Sequence, residues 1–277
     1  MKFLLLGLLV TFSAFAQDSK EAFCSKRSSL SGVQSIYKDI NNFLSFENTA
    51  GMLSPLGIKT GVCWWHSRLQ RNITYLAHFR PELPRPETEK EINKIISNLI
   101  SGKEVVIIPG YRNLQEFSID NNRAMQGKLN AWMRRDSLLN QTWIKGLKGK
   151  TSMDEASFQE HLSKIYDQFV ESDGLMVQIL QFEGITAHAW LVTDMQKMPD
   201  GYTMNVIDSN LPNYVWSFYL DNRATSMNTS LNPFRIENRD ADYLSSHYPK
   251  FVGRVDFQKE LPKLKKAVTD YCSSEDK

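Results

Sequence analysis

The stretch KTGVCWWH, residues 59–66, predicts a cysteine at the first turn of a helix. Gly61 supplies a tight backbone bend just before that turn. The amides of a helix's first turn have no intrahelical partner, and the helix dipole favours negative charge there. Because this environment favours a nucleophilic thiolate, Cys63 is the first candidate for a catalytic group.

The residues that follow Cys63 have the apolar periodicity of a helix. Trp65, Leu69, Ile73 and Leu76 recur at spacings of three and four, which predicts an amphipathic helix running to about residue 77. The thiol falls on a different side of this helix from the apolar face, together with the polar side chains of His66, Ser67 and Gln70. The predicted buried face therefore leaves Cys63 available for chemistry.

Residues 1–16 have the features of a secretory signal peptide. Lys2 is followed by a short apolar run and by a small-residue cleavage site that ends at Ala16. This predicts a protein that is secreted or periplasmic after cleavage, with residues 17–277 forming a single domain. The later sequence has no apolar stretch of the ~20 residues that a membrane-spanning helix needs, so no integral membrane segment is predicted.

The charge balance gives no reason to expect a polyanionic partner. The chain holds 33 Lys and Arg against 31 Asp and Glu, a formal net charge of +2. A protein without a strong positive field has no long-range means of recruiting nucleic acid or an anionic membrane surface. We therefore predict no nucleic acid partner.

The number and positions of the cysteines single out one of them. Cys24 lies close to the predicted mature N-terminus and Cys272 lies five residues from the C-terminus. Since the two ends of a domain often lie close together, and exported proteins form disulfides, a bridge between Cys24 and Cys272 is predicted. That pairing leaves Cys63 as the free thiol.

Helical and strand-forming segments divide between the two halves of the chain. One helix is predicted from an acidic first turn at Glu87 and Glu89 to Gly102, and a short strand is predicted at 105–108. Residues 174–255 contain four short runs rich in β-branched and aromatic residues. The predicted fold class is α+β: a helical half, about 28–172, carries Cys63 and packs against an antiparallel sheet half, about 174–255.

A hairpin in the sheet half brings together the groups that a thiol nucleophile needs. The turn signal MPDG at 198–201 places residue i opposite 399 − i or 400 − i, so Asp208 lies close to His188 at the open end. A base holds the proton of the thiol, and a carboxylate fixes the tautomer of the imidazole. His188 and Asp208 are therefore the candidate base and orienting group.

These motifs resemble those of the papain-like cysteine peptidase superfamily. GVCW at 61–64 opens a helix and His188 lies 125 residues after Cys63, near the ~130–150 residues of papain-type enzymes. HAW at 188–190 is also similar to bacterial transglutaminase-like proteins, which resemble papain in fold and triad. The resemblance implies a papain-like fold with Cys63 as nucleophile, His188 as general base and then acid, and Asp208 as orienting group.

The resemblance also identifies an alternative residue and a departure. Papain-type enzymes use asparagine as the orienting group, so Asn210 is the alternative to Asp208. They also place an oxyanion-hole glutamine six residues before the cysteine, where this chain has Gly57. Apart from the resemblance, Trp64 and Trp190 are expected in the core or in the cleft wall, where aromatic rings can contact a substrate.

The predicted function is that of an exported cysteine hydrolase that cleaves a peptide or amide bond through a thioester acyl-enzyme. Its expected partner is a peptide or protein substrate, and no cofactor is predicted. Cys63 and His66 have the spacing of metal ligands, but without a second close pair no metal site is predicted. The alternatives are transglutaminase-like acyl transfer to an amine and a non-catalytic secreted binding protein of papain-like fold.

Overall fold

The computed structural model describes residues 19–48, 51–52, 59–60, 62–139, 154–181, 187–221, 252–255 and 260–274. The predicted signal peptide, residues 1–16, and Gly57 lie outside these ranges. Most helices come before an antiparallel sheet in the chain, so the predicted α+β class is confirmed. None of the described helices is both long enough and apolar enough to cross a membrane.

The described helices are, in chain order, α1 (Lys20–Arg27), α2 (Leu30–Ile36), a short 3-10 helix (Ile40–Asn42), α3 (Cys63–Leu76), α4 (Glu89–Ser101), α5 (Leu114–Asp120), α6 (Asn122–Leu139), α7 (Glu155–Ser172) and α8 (Leu261–Ser273). Thr88 and Glu91 form a reciprocal capping box at the start of α4. Gly102 ends that helix in the left-handed conformation, with φ of 65°, which glycine adopts without strain. The predicted α4 is therefore confirmed.

The helix that begins at the cysteine, α3, lies at the centre of the fold. Every residue from Trp65 to Leu76 is buried, because other elements pack on the helix from all directions. Each of its polar side chains has at least one hydrogen-bonding partner; the Gln70 side-chain oxygen, for example, accepts from the Leu44 amide at 3.0 Å. The polar side of the predicted helix is buried as well, at His66, Ser67 and Gln70, while Cys63 is partly exposed.

Four short strands lie beside the helices. β1 (Gly51–Met52) and β2 (Lys59–Thr60) form a two-residue antiparallel ladder ahead of α3. β3 (Ala77–Arg80) follows α3 directly and pairs in parallel with β4 (Val106–Pro109). The sequence predicts the strand at β4 but not β3, because four residues directly after a helix carry no periodicity of their own.

The main sheet has the strand order β8-β7-β6-β5-β9, with every neighbouring pair antiparallel. Its strands are β5 (Met176–Gln181), β6 (Ala187–Met198), β7 (Gly201–Asp208), β8 (Leu211–Asp221) and β9 (Val252–Val255). The predicted hairpin is confirmed, with Met198 paired to Gly201. An irregularity at Thr193 shifts the register by one residue, so Asp208 lies opposite Trp190 and not Leu191.

The two faces of the main sheet belong to different hydrophobic cores. Val177, Leu191 and Ile207 join the core around α3, while their strand neighbours Met176 and Val192 join a second core. Because successive side chains of a strand point to opposite faces, these two cores cover opposite faces of the sheet.

Helices α7 and α8 pack differently from the predicted division into halves. The apolar stripe of α7 enters the second core, on the opposite face of the sheet from α3, through Phe158, Leu162, Ile165 and Phe169. In contrast, α8 joins the core around α3 through Leu261, Leu264 and Val268. The predicted helical half, about 28–172, therefore does not correspond to one packing unit, because a periodic stripe does not reveal which partner it meets.

A disulfide ties α1 to α8. The sulfur atoms of Cys24 and Cys272 lie 1.97 Å apart and their Cα atoms 5.9 Å apart, so the predicted pairing is confirmed. The N-cap residue of α8, Glu260, forms ion pairs with Arg68 and with Arg71, the latter at 3.0 Å. The bridge thus holds α8 against α1, and the ion pairs hold its start against the helix that carries Cys63.

Candidate active site

Cys63 is the first residue of α3 and is partly exposed. Because the other two cysteines form the disulfide, it is the free thiol of the chain. The residue before it, Val62, makes no side-chain cap on the helix. The first-turn amides therefore keep their tendency to stabilise negative charge, on the thiol or on a bound oxyanion.

His188 and Asp208 meet where β6 begins and β7 ends. Nε2 of His188 lies 3.0 Å from Oδ1 of Asp208, and the two side chains are only 6% and 2% exposed. Since a carboxylate oxygen accepts, Nε2 carries a proton and donates it to Asp208. The predicted base and orienting group are thus brought together, and Asp208 holds the ring in one orientation.

The charge on His188 is governed by Asp208 and Cys63. Burial alone lowers the pKa of His188, but the charge and hydrogen bond of Asp208, followed by the hydrogen bond and charge of Cys63, raise it to about 10. The contribution of Cys63 to this shift indicates that its side chain lies near the imidazole. At neutral pH the stable form of His188 is the imidazolium, which is the partner that a thiolate requires.

Asn210, the predicted alternative orienting residue, supports Asp208 through its backbone. Its N–H donates to Oδ1 of Asp208 at 2.8 Å, while its side-chain oxygen accepts from Nδ2 of Asn48 at 3.2 Å. Asp208 is therefore the member of this pair whose side chain contacts His188, and Asn210 holds that carboxylate from behind.

Two buried serine hydroxyls fix the backbone beside His188. Ser67 and Ser209 both donate to the carbonyl oxygen of Ala189, each at 3.2 Å. Because Ser67 lies one helical turn after Cys63, this shared carbonyl joins the strand of the base to the helix of the nucleophile. Sequence reasoning missed this role of both serines, since it depends on which carbonyl the folded chain presents.

A second buried histidine lies on α3 near the pair. Nε2 of His66 is 2.9 Å from the carbonyl oxygen of Phe46, so this nitrogen carries the proton. Burial lowers the pKa of His66 to about 4, although the charge of Asp208 works in the opposite direction. His66 is therefore neutral at pH 7 and adds no second positive charge beside His188.

The two predicted cleft-wall tryptophans have different surroundings. Trp64 is partly exposed, and its ring stacks 4.3 Å from the guanidinium of Arg68, which lies at the same distance from Trp132. Trp190 is 1% exposed in the second core, where its indole N–H donates to the Gln178 side chain. Of the two expected positions, core or cleft wall, Trp190 therefore takes the core, whereas Trp64 is partly exposed.

The described residues do not gather into an obvious metal centre. Within these parts of the chain, no three His, Cys, Asp or Glu side chains converge in a way that would hold a metal ion. His66 instead uses a ring nitrogen on a backbone carbonyl. The chemistry that this site offers is that of a thiol beside a protonated imidazole.

No protein-family model, no curated protein and no solved structure matches this chain. A functional conclusion for the chain therefore depends on the geometry of Cys63, His188 and Asp208.

Proposed function

We propose that this protein is a cysteine hydrolase of papain-like fold that cleaves a peptide or amide bond through a thioester. The observation that carries the proposal is the position of His188, which is hydrogen-bonded to Asp208 and whose pKa is raised by Asp208 and, after it, by Cys63. A structural histidine needs neither a free thiol nor a buried carboxylate. The combination at the start of a helix supplies a nucleophile, its base and the group that orients the base.

Acylation uses the ion pair of Cys63 and His188. The thiolate attacks the substrate carbonyl carbon, a carbon–sulfur bond forms, and the carbonyl electron pair moves to oxygen. First-turn amides of α3 stabilise this oxyanion. The carbon–nitrogen bond then breaks, the leaving amine takes the proton of His188, and a thioester remains on Cys63.

Deacylation returns every group to its starting state. Neutral His188 takes a proton from water as the water oxygen attacks the thioester carbon. The carbon–sulfur bond breaks, and the products are a carboxylic acid, the Cys63 thiolate and the His188 imidazolium. Asp208 keeps the imidazole in one orientation through both steps and stabilises its charged form.

A transglutaminase-like reaction is the second candidate. It is favoured by the carboxylate of Asp208 at the orienting position, where papain-type enzymes have asparagine. In this reaction a primary amine replaces water in the second half, and the product is an amide. The same thioester on Cys63 precedes both outcomes, so acylation with p-nitrophenyl acetate followed by added glycinamide would distinguish acetate from acetylglycinamide as the product.

Thiol labelling tests the proposal without knowledge of the substrate. Chloroacetamide at pH 7 should alkylate Cys63 roughly tenfold or more faster than a free cysteine, which is only a few per cent thiolate at that pH. His188→Ala should bring the rate down to that of the free thiol, measured by mass spectrometry of the Cys63 peptide.

The matched control is His161→Ala, which removes a histidine from α7 on the opposite face of the sheet. It should label at the wild-type rate. Wild-type labelling at the free-thiol rate, unaffected by His188→Ala, would contradict the hydrolase and favour a secreted binding protein.

A further inference from the structure

We propose that Asn48 is a positioning residue that sets the helix of Cys63 against the pair of His188 and Asp208. Oδ1 of Asn48 accepts a hydrogen bond from the Val62 amide at 2.7 Å. Its Nδ2 donates to the side chain of Asn210 at 3.2 Å, and its backbone N–H donates to the Ser209 carbonyl at 2.7 Å. This inference rests on the proposed function, because it assigns a role within the same site.

The hydrogen bonds of Asn48 reach both sides of the catalytic group formed by Cys63, His188 and Asp208. On one side, Val62 immediately precedes Cys63. On the other side, the Asn210 N–H donates at 2.8 Å to Oδ1 of Asp208, which is also the oxygen that binds His188. A single side chain thus connects the residue before the nucleophile to the carboxylate that holds the base.

The chemistry of an amide side chain fits this place. Asn48 must accept a hydrogen bond on the helix side and donate one on the Asn210 side, and a carboxylate has no N–H for the second contact. An ordinary N-cap side chain binds the amide of the second or third helical residue. Asn48 instead binds the amide of Val62, the residue just before the helix begins.

The expected consequence is a loss of thiol reactivity without an equal loss of fold. Displacing reacting groups by about 1 Å can cost on the order of a hundredfold in rate. We expect Asn48→Ala to slow chloroacetamide labelling of Cys63 at pH 6 by roughly tenfold. Asn121→Ala is the matched control, since that amide donates to the Tyr111 hydroxyl and the Phe117 carbonyl, outside the catalytic group.

A double-mutant cycle tests whether Asn48 acts through Asn210. Asn210→Ala removes the acceptor for Asn48 but keeps the backbone N–H that binds Asp208. If the two side chains work as a unit, the double variant should label no more slowly than the slower single variant. Strictly additive effects on the logarithm of the rate would overturn this assignment.

The outcomes separate this inference from the proposed function. Fast wild-type labelling that needs His188, together with Asn48→Ala labelling at the rate of Asn121→Ala, would overturn only the role of Asn48. Slow wild-type labelling would overturn both. Should Asn48→Ala fail to fold, Asn210→Ala decides, because it breaks the same contact from the other side, and a wild-type rate in it would count against the proposal.

Discussion

Nε2 of His188 and Oδ1 of Asp208 lie 3.0 Å apart, although the residues are 20 positions apart on two different strands. Neither side chain has enough exposed surface for water to screen the pair. Because Asp208 and Cys63 both raise the pKa of His188, the protonation state of this imidazole depends on both partners. The most direct test is therefore to change the carboxylate and follow the imidazole.

Asp208→Asn should lower the pKa of His188. The pKa of His188 in the folded protein is raised to about 10 by its partners, chiefly Asp208, and asparagine keeps an acceptor but removes the charge. Because the folded-state pKa is raised, the pair stabilises the fold fully below about pH 6.5, and this contribution disappears as pH rises towards 10. NMR titration of the His188 ring proton and alkaline unfolding curves measure both effects.

The control for that experiment is Asp200→Asn in the exposed turn of the β6–β7 hairpin. This variant should have the same NMR titration of His188 and the same alkaline unfolding curve as the wild type. An unchanged His188 titration in Asp208→Asn would contradict the described pair.

His66→Gln should flatten the acid limb of the stability curve. The pKa of His66 is lowered to about 4 by burial, so between about pH 6.5 and 4 the unfolded chain binds a proton that the folded chain does not. Stability therefore falls as pH drops through this window. Glutamine keeps an N–H donor for the Phe46 carbonyl but does not titrate, and urea unfolding at pH 4.5 and 7 should show a smaller difference in the variant.

His161→Gln provides the comparison, because that residue lies on α7, remote from α3. The urea unfolding curves of this variant at pH 4.5 and 7 should differ in midpoint as much as those of the wild type. The same steep acid limb in His66→Gln would show that other groups control acid unfolding.

Removal of the disulfide should destabilise the protein by about 2–5 kcal/mol, the usual range for a native bridge. The bridge joins positions 248 residues apart and ties α1 to α8. The variant carrying Cys24→Ala and Cys272→Ala should unfold at a lower urea concentration than the wild type. Added reductant should lower the wild-type midpoint and leave that of the variant unchanged; equal midpoints in oxidised wild type and variant would refute the role of the bridge.

Asp136→Ala should cost roughly 1–3 kcal/mol, as expected when buried donors lose an acceptor, because Arg68 keeps its ion pair with Glu260. Its carboxylate accepts from the Trp65 indole at 3.0 Å and from the Arg68 guanidinium at 3.1 Å. Truncation leaves both donors without this acceptor. Urea denaturation measures the loss, and the exposed pair of Glu160 and Lys164 supplies the control, with Glu160→Ala expected to leave the midpoint unchanged.

Local signals in the sequence predicted much of the fold. The start of α3 at Cys63, the end of α4 at Gly102 and the hairpin turn depend on nearby residues and were confirmed. The disulfide followed from the distribution of three cysteines. Each of these features is determined within a short stretch of chain or by a count.

The remaining features depend on contacts between distant residues. Trp190 has a side chain of the type that can line a cleft, but it is buried in the core. Ser67 donates a hydrogen bond to a carbonyl 122 residues away in the sequence. Asn48 lies outside the helices and strands, between the 3-10 helix and β1. Neither the periodicity nor the spacing of residues in the sequence predicts these long-range contacts.

The burial of α3 has a consequence for genetics. Twelve consecutive residues of this helix, Trp65 to Leu76, are inside the protein, so most substitutions there should reduce the amount of folded protein in a cell. A mutational scan read by survival would then show a uniformly intolerant block beginning beside the thiol. Scoring protein abundance and thiol reactivity in parallel would separate Cys63, whose loss abolishes reactivity at normal abundance, from the helix that supports it.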